Sequence, residues 1–223
     1  ELSEAEAQFS GLRSQPKGRL LISAPVALGQ YKIVPALPRL WEEYPDLRFE
    51  VDLDDRQIHI VEEGYDLAIR MSSSFEDSRL VSKRLGEQKL ITCAAPAYLE
   101  KFGEPRKPED LAYHRCIGFK FSGTNRIAPW RFQDRDKPYS VNPLGAFTFN
   151  NNSAMLDTAR AAMGVTQLPA YVVEQDISSH RLRPVLDDYS PTPVDILALW
   201  PQTKHMAPKL RALIDFLYDL FNS

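Results

Sequence analysis

The chain has 223 residues, of which 43% are hydrophobic and 26% charged, and its formal net charge is −3 at pH 7. Such a length and composition predict a globular protein with one large domain or two small ones. The negative charge argues against a nucleic-acid-binding surface on these residues, because such a surface needs clustered Lys and Arg. Since no apolar run reaches 18 residues, we expect no membrane partner.

The first residues have a helical pattern, in which Leu2, Ala5, Phe9 and Leu12 recur on one face. The pattern is already present at residue 1, without a capping residue before it. We therefore predict that residues 1–16 are the end of a longer linker helix.

Strands and helices then alternate, which predicts a parallel α/β sheet with right-handed crossovers. The predicted strands of this part are 20–22, 47–53, 66–71, 80–84 and 89–95, and the predicted helices are 33–44 and 55–63. Pro35 either starts the first helix or kinks one that begins at Val26. Gly64 is expected to end the second.

The alternation continues to the end of the chain. The predicted helices here are 96–103, 108–114, 150–164, 170–176 and 208–221, and the predicted strands are 116–121, 128–133, 145–150, 165–169 and 194–200. An Asn or Ser is expected to cap the helix that follows residue 150, and Gly164 to end it. In the last helix we expect an inward face of leucines at positions 210, 213, 217 and 220.

Cys93 and Cys116 lie in the apolar runs LITCAA and RCIGF. We expect two buried, free thiols, which are typical of a reducing compartment such as the cytoplasm. A disulfide between them, or a catalytic thiol, is the alternative.

Two segments share the order strand, small polar residues and helix start: LISAPVALG and FNNNSAMLDT. AIRMSS and TQLPAY are strand ends that lead into loops. In open α/β sheets, ligands bind beyond the carboxyl ends of the strands. Two facing sheets would place these four segments around one cleft.

From about Gly18 to Phe221, the chain resembles a known family, the effector-binding domain of LysR-type transcriptional regulators. The order and spacing of these segments carry the resemblance: GRLLISAPVALGQYKIVPALPRLWEEYPDLRFEVDL, IVEEGYDLAIRM, LVSKRLG, APAYLEKFGEPRKPEDLAYHRCI, NNSAMLDTARAAMGVTQLPAYVV, LRPVL and APKLRALIDFL. YDLAIRM and AAPAYL are especially similar to the CrgA-like subgroup.

The resemblance implies a type-2 periplasmic-binding-protein-like fold, with two Rossmann-like α/β subdomains joined by two crossover strands, LITCAAP and DILALWP. Residues 17–94 and 199–223 would form subdomain I, and residues 95–198 subdomain II. A small-molecule effector would bind between them.

The resemblance also implies the partners of the protein. The helix at 33–44 would pack on residues 154–163 of a second copy, giving a homodimer, and a tetramer in the full-length protein. DNA would be contacted only through an N-terminal winged helix-turn-helix that these residues lack. We expect the protein to be cytoplasmic.

The strand ends and the resemblance together give the candidate ligand-binding residues. They are Ser23, Ala24, Pro25, Val26, Arg70, Ser72, Phe121, Asn151, Asn152, Ser153, Gln167 and Leu168. The open helix starts and a guanidinium group predict a small organic anion, and a nearby aromatic ring suggests an aromatic one.

For several of these residues a structural role is the alternative. Ser23 would then only cap its helix, and one of the residues Asn151, Asn152 and Ser153 would cap the other. Arg70 would form a salt bridge to Asp66 or Glu63.

Two further candidates have structural alternatives of their own. Gln167, at a strand end, would lie in a solvated loop instead of donating a hydrogen bond to the ligand. Phe121 would pack in the core instead of covering an aromatic ligand.

We expect no enzymatic activity, no cofactor and no metal. The four histidines, His59, His114, His180 and His205, are scattered, and none lies at metal-ligand spacing. There is no G-x-S-x-G, P-loop or G-x-G-x-x-G motif. The acidic VEEG segment is expected to be a solvated face, and His114 a local hydrogen-bond partner.

The sequence therefore predicts a ligand-sensing regulatory domain. A transporter's solute-binding protein and an enzyme on the same fold are the alternatives.

Overall fold

The computed structural model describes residues 15–56, 58–71, 77–122, 126–143, 145–202 and 206–222. The linker helix predicted for residues 1–16 lies almost wholly outside them. The chain forms two compact units: unit 1 contains the residues up to Glu87 and those from Asp195 on, and unit 2 contains Gln88–Val194.

The first half of the chain contains β1 (Gly18–Ala24), α1 (Val26–Leu28), a π-helix (Gly29–Ile33), α2 (Val34–Glu43), β2 (Leu47–Leu53), β3 (Leu67–Met71), β4 (Leu80–Gln88), β5 (Leu90–Ala94) and α3 (Pro96–Phe102). A 3₁₀-helix (Pro108–Tyr113), β6 (Cys116–Phe119), β7 (Trp130–Asp134), β8 (Lys137–Val141), β9 (Gly145–Phe149) and α4 (Asn152–Arg160) follow. The last elements are β10 (Val165–Pro169), α5 (Ala170–Ser178), β11 (Arg183–Pro184), a 3₁₀-helix (Asp187–Tyr189), β12 (Val194–Pro201) and α6 (Pro208–Asn222).

Unit 1 contains a five-stranded sheet in the order β2-β1-β3-β12-β4. β1 pairs in parallel with both β2 and β3, as the alternation of strands and helices predicts, whereas β12 pairs antiparallel to β3. Leu20, Ile22 and Ala24 of β1 are completely buried. The parallel pairing places the carboxyl ends of β1, β2 and β3 at one edge of the sheet.

Residues 26–43 are helical without a break, through α1, the π-helix and α2. Pro35 therefore does not start a new helix. It has no N–H to bond to the preceding turn, and that turn, Gly29–Ile33, is π-helical. Gly29 lies so close to Leu53 of β2 that a side chain would collide with it.

The helix predicted for residues 55–63 is wrong, because the described residues there form turns. Side chains of this segment bind its backbone N–H groups instead: Asp54 accepts from the N–H of Arg56 at 2.9 Å, and Glu63 accepts from the N–H of His59 at 2.9 Å. Gly64 does adopt a positive φ of 75°.

Unit 2 contains a five-stranded sheet in the order β11-β5-β10-β6-β9 and a separate β7–β8 hairpin. β10 pairs antiparallel to β5 and parallel to β6. β8 was not predicted from the sequence. Its turn residues, Arg135 and Asp136, adopt positive φ angles of 43° and 67° without a glycine to signal them.

The predicted role of Gly164 at the end of α4 is wrong. Ala162 takes the left-handed conformation there, with a φ of 58°. Gly164 instead lies directly against the backbone of Arg115, where a side chain would collide with the carbonyl oxygen.

The inward face of α6 is confirmed only at its centre. Leu213 and Leu217 are completely buried, whereas Leu210 and Leu220 are half-buried. None of the helices in the described part of the chain is long and apolar enough to cross a membrane.

Both cysteines are buried and free, as predicted. Cys93 lies in β5 and Cys116 in β6, on either side of β10. Burial raises the pKa of Cys93 to about 12 and that of Cys116 to about 11.

Candidate functional site

The carboxyl ends of β1 and β3 are joined by their side chains. Arg70 of β3 donates from Nη2 to Oγ of Ser23 at 2.8 Å, and from Nη1 to the carbonyl oxygen of Ile69 at 2.6 Å. Ser23 is completely buried, whereas Arg70 is half-buried. The guanidinium therefore covers the serine hydroxyl at this edge of the sheet.

Ser23 does not cap the following helix. Pro25 is the residue that precedes the first helical residue, Val26, and it provides no side-chain hydrogen bond. Instead, Oδ1 of Asp55 accepts from the N–H of Val26 at 3.1 Å.

Asp55 belongs to this edge because β1 and β2 are parallel and in register. Ala24 pairs with Leu53, and its carbonyl oxygen accepts from the N–H of Asp54 at 3.0 Å. Burial raises the pKa of Asp55, while the bond from Val26 and the charge of Arg70 lower it. Asp55 was not among the predicted site residues, although the predicted parallel sheet with strands at 20–22 and 47–53 contained part of the signal.

The salt bridges proposed for Arg70 are wrong. Asp66 lies at the other end of β3, where its Oδ2 accepts from the N–H of Leu21 at 2.8 Å. Glu63 pairs with Arg56 at 2.6 Å. Burial lowers the pKa of Arg70, whereas the carboxylates of Asp54 and Asp55 raise it; an arginine stays charged in this setting.

The other candidates of unit 1 contribute little side-chain surface. Ala24 is completely buried, Pro25 is buried, and Val26 is half-buried. Ser72 lies outside the described residues. Arg70 is therefore the charged side chain among the described candidates of this unit.

In unit 2, Asn151 is the cap of α4. Its Oδ1 accepts from the N–H groups of Ser153 at 2.9 Å and of Ala154 at 3.1 Å. Asn152 and Ser153 occupy the first turn and are half-buried.

Gln167 does not lie in a solvated loop; it is buried within β10 and 8% exposed. Its Nε2 donates to Oγ1 of Thr92 at 3.1 Å and to the carbonyl oxygen of Arg131 at 2.9 Å. Its Oε1 accepts from the N–H of Arg131 at 2.9 Å. The amide thus attaches the β7–β8 hairpin to the sheet and has little capacity left for a ligand.

Leu168 and Phe121 differ in exposure. Leu168 is completely buried in β10. Phe121 is 45% exposed and contacts Phe119 edge-on, with 5.6 Å between the ring centroids. The core role considered for Phe121 is therefore wrong.

The remaining polar groups are structural. Nδ1 of His114 lies 3.3 Å from the hydroxyl of Tyr98, and burial lowers the pKa of this histidine. Glu62 is exposed and pairs with Arg79 at 2.7 Å. Within the described ranges, no three His, Cys, Asp or Glu side chains are grouped as metal ligands. His205 lies outside those ranges.

Comparison with known proteins gives one consistent family. The family model "LysR substrate binding domain" matches residues 13–222. An HTH-type transcriptional regulator of Haemophilus influenzae is 31% identical over 213 residues, which cover 96% of this chain and 73% of the relative. The probable HTH-type transcriptional regulator LtrA of Klebsiella pneumoniae is 30% identical over 206 residues, which cover 91% of this chain and 66% of LtrA.

Solved structures confirm the predicted fold. CrgA of Neisseria meningitidis, a LysR-type transcriptional regulator, superposes with a TM-score of 0.82 at 24% identity, covering 100% of this chain and 74% of CrgA. Full-length AphB of Vibrio cholerae, a virulence activator of the same type, has a TM-score of 0.79 at 24% identity, covering 98% of this chain and 73% of AphB. The two α/β units thus have the type-2 periplasmic-binding-protein-like fold. The relatives are transcriptional regulators and not transporter proteins.

Proposed function

This chain belongs to the family of LysR substrate-binding domains, the effector-binding part of LysR-type regulators, and we propose that its effector is a small organic anion bound by Arg70. The observation that carries the proposal is the environment of this guanidinium. It is half-buried at a strand end, and among the described residues no carboxylate lies in ion-pair contact with it. A ligand carboxylate would supply that contact.

The chemistry of the guanidinium supports an acidic ligand. Its planar fork of N–H groups binds carboxylates in two parallel hydrogen bonds. Partial burial strengthens such a charge-assisted bond, because water competes less for the same groups.

The proposed consequence of binding is a population shift. A ligand changes an equilibrium between conformations only by as much as its affinity differs between them. In the intact regulator this shift would be passed to a DNA-binding helix-turn-helix outside these residues. We therefore propose that the protein is cytoplasmic, because a DNA-binding regulator must reach the DNA. The free cysteines are consistent with a reducing compartment of this kind.

Oligomer contacts would transmit the shift. Val34 and Trp41 of α2 are 43% and 53% exposed, and Met163, beyond α4, is 36% exposed. We propose that α2 of one copy packs on residues 154–163 of its partner, which repeats by symmetry in an isologous dimer. Trp41→Glu should then turn the dimer into a monomer in analytical ultracentrifugation, whereas Trp41→Phe should not.

A thermal-shift screen tests the ligand class. Aromatic and aliphatic monocarboxylates and dicarboxylates are added at one ionic strength, each beside its neutral amide. A ligand that binds only the folded state raises the midpoint of unfolding. We expect an acid to raise it and the matching amide to leave it unchanged. An amide that stabilises as strongly as its acid would contradict an anionic effector.

A further inference from the structure

We propose that Asp55 is a specificity-determining residue of the effector site, an internal carboxylate that competes with the effector for the positively polarised position beside Val26 and Arg70. This inference rests on the proposed function. It predicts that an anion binds more tightly when Asp55 is neutral.

The carboxylate of Asp55 lies at the start of a helix. Oδ1 of Asp55 accepts from the N–H of Val26, the first residue of the continuous helix 26–43, at 3.1 Å. An N–H at such a helix start has no partner within its own helix and carries partial positive charge. The carboxylate of Asp55 therefore occupies a position at which an effector carboxylate would also bind favourably.

Charged side chains surround this position. The charge of Asp54 raises the pKa of Asp55, and the charge of Arg70 lowers it. Tyr65 raises the pKa of Arg70, and the charge of Arg56 lowers it. Asp54 is held by Arg56 through a 2.7 Å ion pair. Arg70, whose charge lowers the pKa of Asp55, has no carboxylate in ion-pair contact among the described residues. Asp55 thus partly neutralises the charge that would attract an effector.

The charge of Asp55 affects the binding of an anion. A second carboxylate placed beside Asp55 is repelled as long as Asp55 is ionised. The effector must therefore displace Asp55 or bind while Asp55 carries a proton. Since burial already favours the protonated form of Asp55, anion binding should become tighter as the pH falls toward the pKa of this group.

The experiment compares two variants that make the same chemical change. Asp55→Asn removes the charge and keeps an oxygen that can accept from Val26. Asp66→Asn is the matched control, because Asp66 also accepts from a backbone N–H, that of Leu21 at 2.8 Å, but at the opposite end of β3. The probes are benzoate, acetate and succinate, measured by calorimetry at constant ionic strength at pH 7.5 and pH 5. Each affinity is calculated for the fully ionised form of the probe, because the probes themselves take up protons as the pH falls.

We expect Asp55→Asn to bind at least one of these anions about fivefold more tightly than wild type, the size expected from one like charge in a partly hydrated site. Its affinity should be the same at both pH values, whereas wild type should bind more tightly at pH 5. Asp66→Asn should behave like wild type.

Two outcomes overturn the proposal: Asp55→Asn binds no more tightly than wild type, or it binds none of the three anions. Failure of the proposed function is distinguishable, because Arg70→Gln would then bind the same anion as tightly as wild type. If Asp55→Asn does not fold, the test uses wild type and follows the NMR resonance of the Val26 amide as the pH is varied. In the free protein the titration of Asp55 should shift this resonance. A bound anion that displaces Asp55 should abolish that shift, and an unchanged shift would contradict displacement.

Discussion

Arg70 donates to Oγ of Ser23 at 2.8 Å, a bond between side chains that are 47 residues apart in the sequence. Because Ser23 is completely buried and Arg70 is half-buried, a ligand at this strand end reaches the guanidinium and not the hydroxyl. The serine is best described as a positioning residue, which fixes the direction of the guanidinium.

The buried carboxylate of Asp176 should stabilise the folded protein. Its side chain is 1% exposed and forms ion pairs with Arg160 at 2.7 Å and with Arg181 at 2.8 Å. Asp176→Asn leaves Arg181 without its carboxylate and Arg160 with only the exposed carboxylate of Asp157, so the free energy of unfolding should fall by about 2 kcal/mol. Urea denaturation measures this. Asp157→Asn, which also removes a partner of Arg160 but one that is 71% exposed, should cost below about 0.5 kcal/mol.

The contribution of Asp176 should depend on pH. The hydrogen bonds from Arg160 hold the pKa of Asp176 below its ordinary value. The stabilisation is therefore complete above the unfolded pKa of about 4 and is lost as the pH falls through the lower, folded value. The difference in unfolding free energy between wild type and Asp176→Asn should shrink below about pH 4. A difference that stays constant down to pH 2.5 would mean that the carboxylate charge does not stabilise the fold.

Gln167 should control the attachment of the β7–β8 hairpin. Gln167→Leu fills a similar volume but leaves the N–H and C=O of Arg131 without their partner. We expect a loss of about 1–3 kcal/mol in urea unfolding and faster amide exchange at Arg131. Gln175→Leu, on the exposed side of α5, should change neither. Unchanged exchange at Arg131 in Gln167→Leu would show that the hairpin is held by other contacts.

The two thiols should be unreactive in the folded protein. The thiolate is the reactive form, and burial raises the pKa of Cys93 to about 12 and that of Cys116 to about 11. β10 lies between their strands, which puts the two residues about two strand spacings, or ~9.5 Å, apart; this is beyond the reach of a disulfide. At pH 8, Ellman's reagent should react with both thiols in urea and with neither in buffer. Rapid reaction of one thiol in buffer would identify an opening that the structure does not show.

Much of the fold follows from local pattern. The alternation of residues 47–53 gives β2, and the polar segment FNNNSA gives a helix capped by Asn151. Prediction failed where side chains bind backbone donors nearby, as Asp54 and Glu63 do over 54–63. It also failed at Gly164, because a glycine that permits close packing looks the same in sequence as one that ends a helix.

The site was predictable only in part. Strand ends and small polar residues correctly indicate the edge where Ser23 and Arg70 meet. The partner of Arg70 was not predictable, because Asp66 is near in sequence but lies at the far end of the strand. Asp55 is found only by combining the parallel pairing of β1 and β2 with their register.

The role of Arg70 in binding an anionic effector is tested by calorimetry on Arg70→Gln, with the acid that stabilises wild type most strongly in the thermal-shift screen. This variant removes the charge and keeps an amide that can donate to Ser23. Arg48→Gln, on the exposed side of β2, is the control for an equal change in net charge. The account predicts that Arg70→Gln binds the acid about tenfold more weakly, while Arg48→Gln binds like wild type. Equal affinity in wild type and Arg70→Gln would contradict the account.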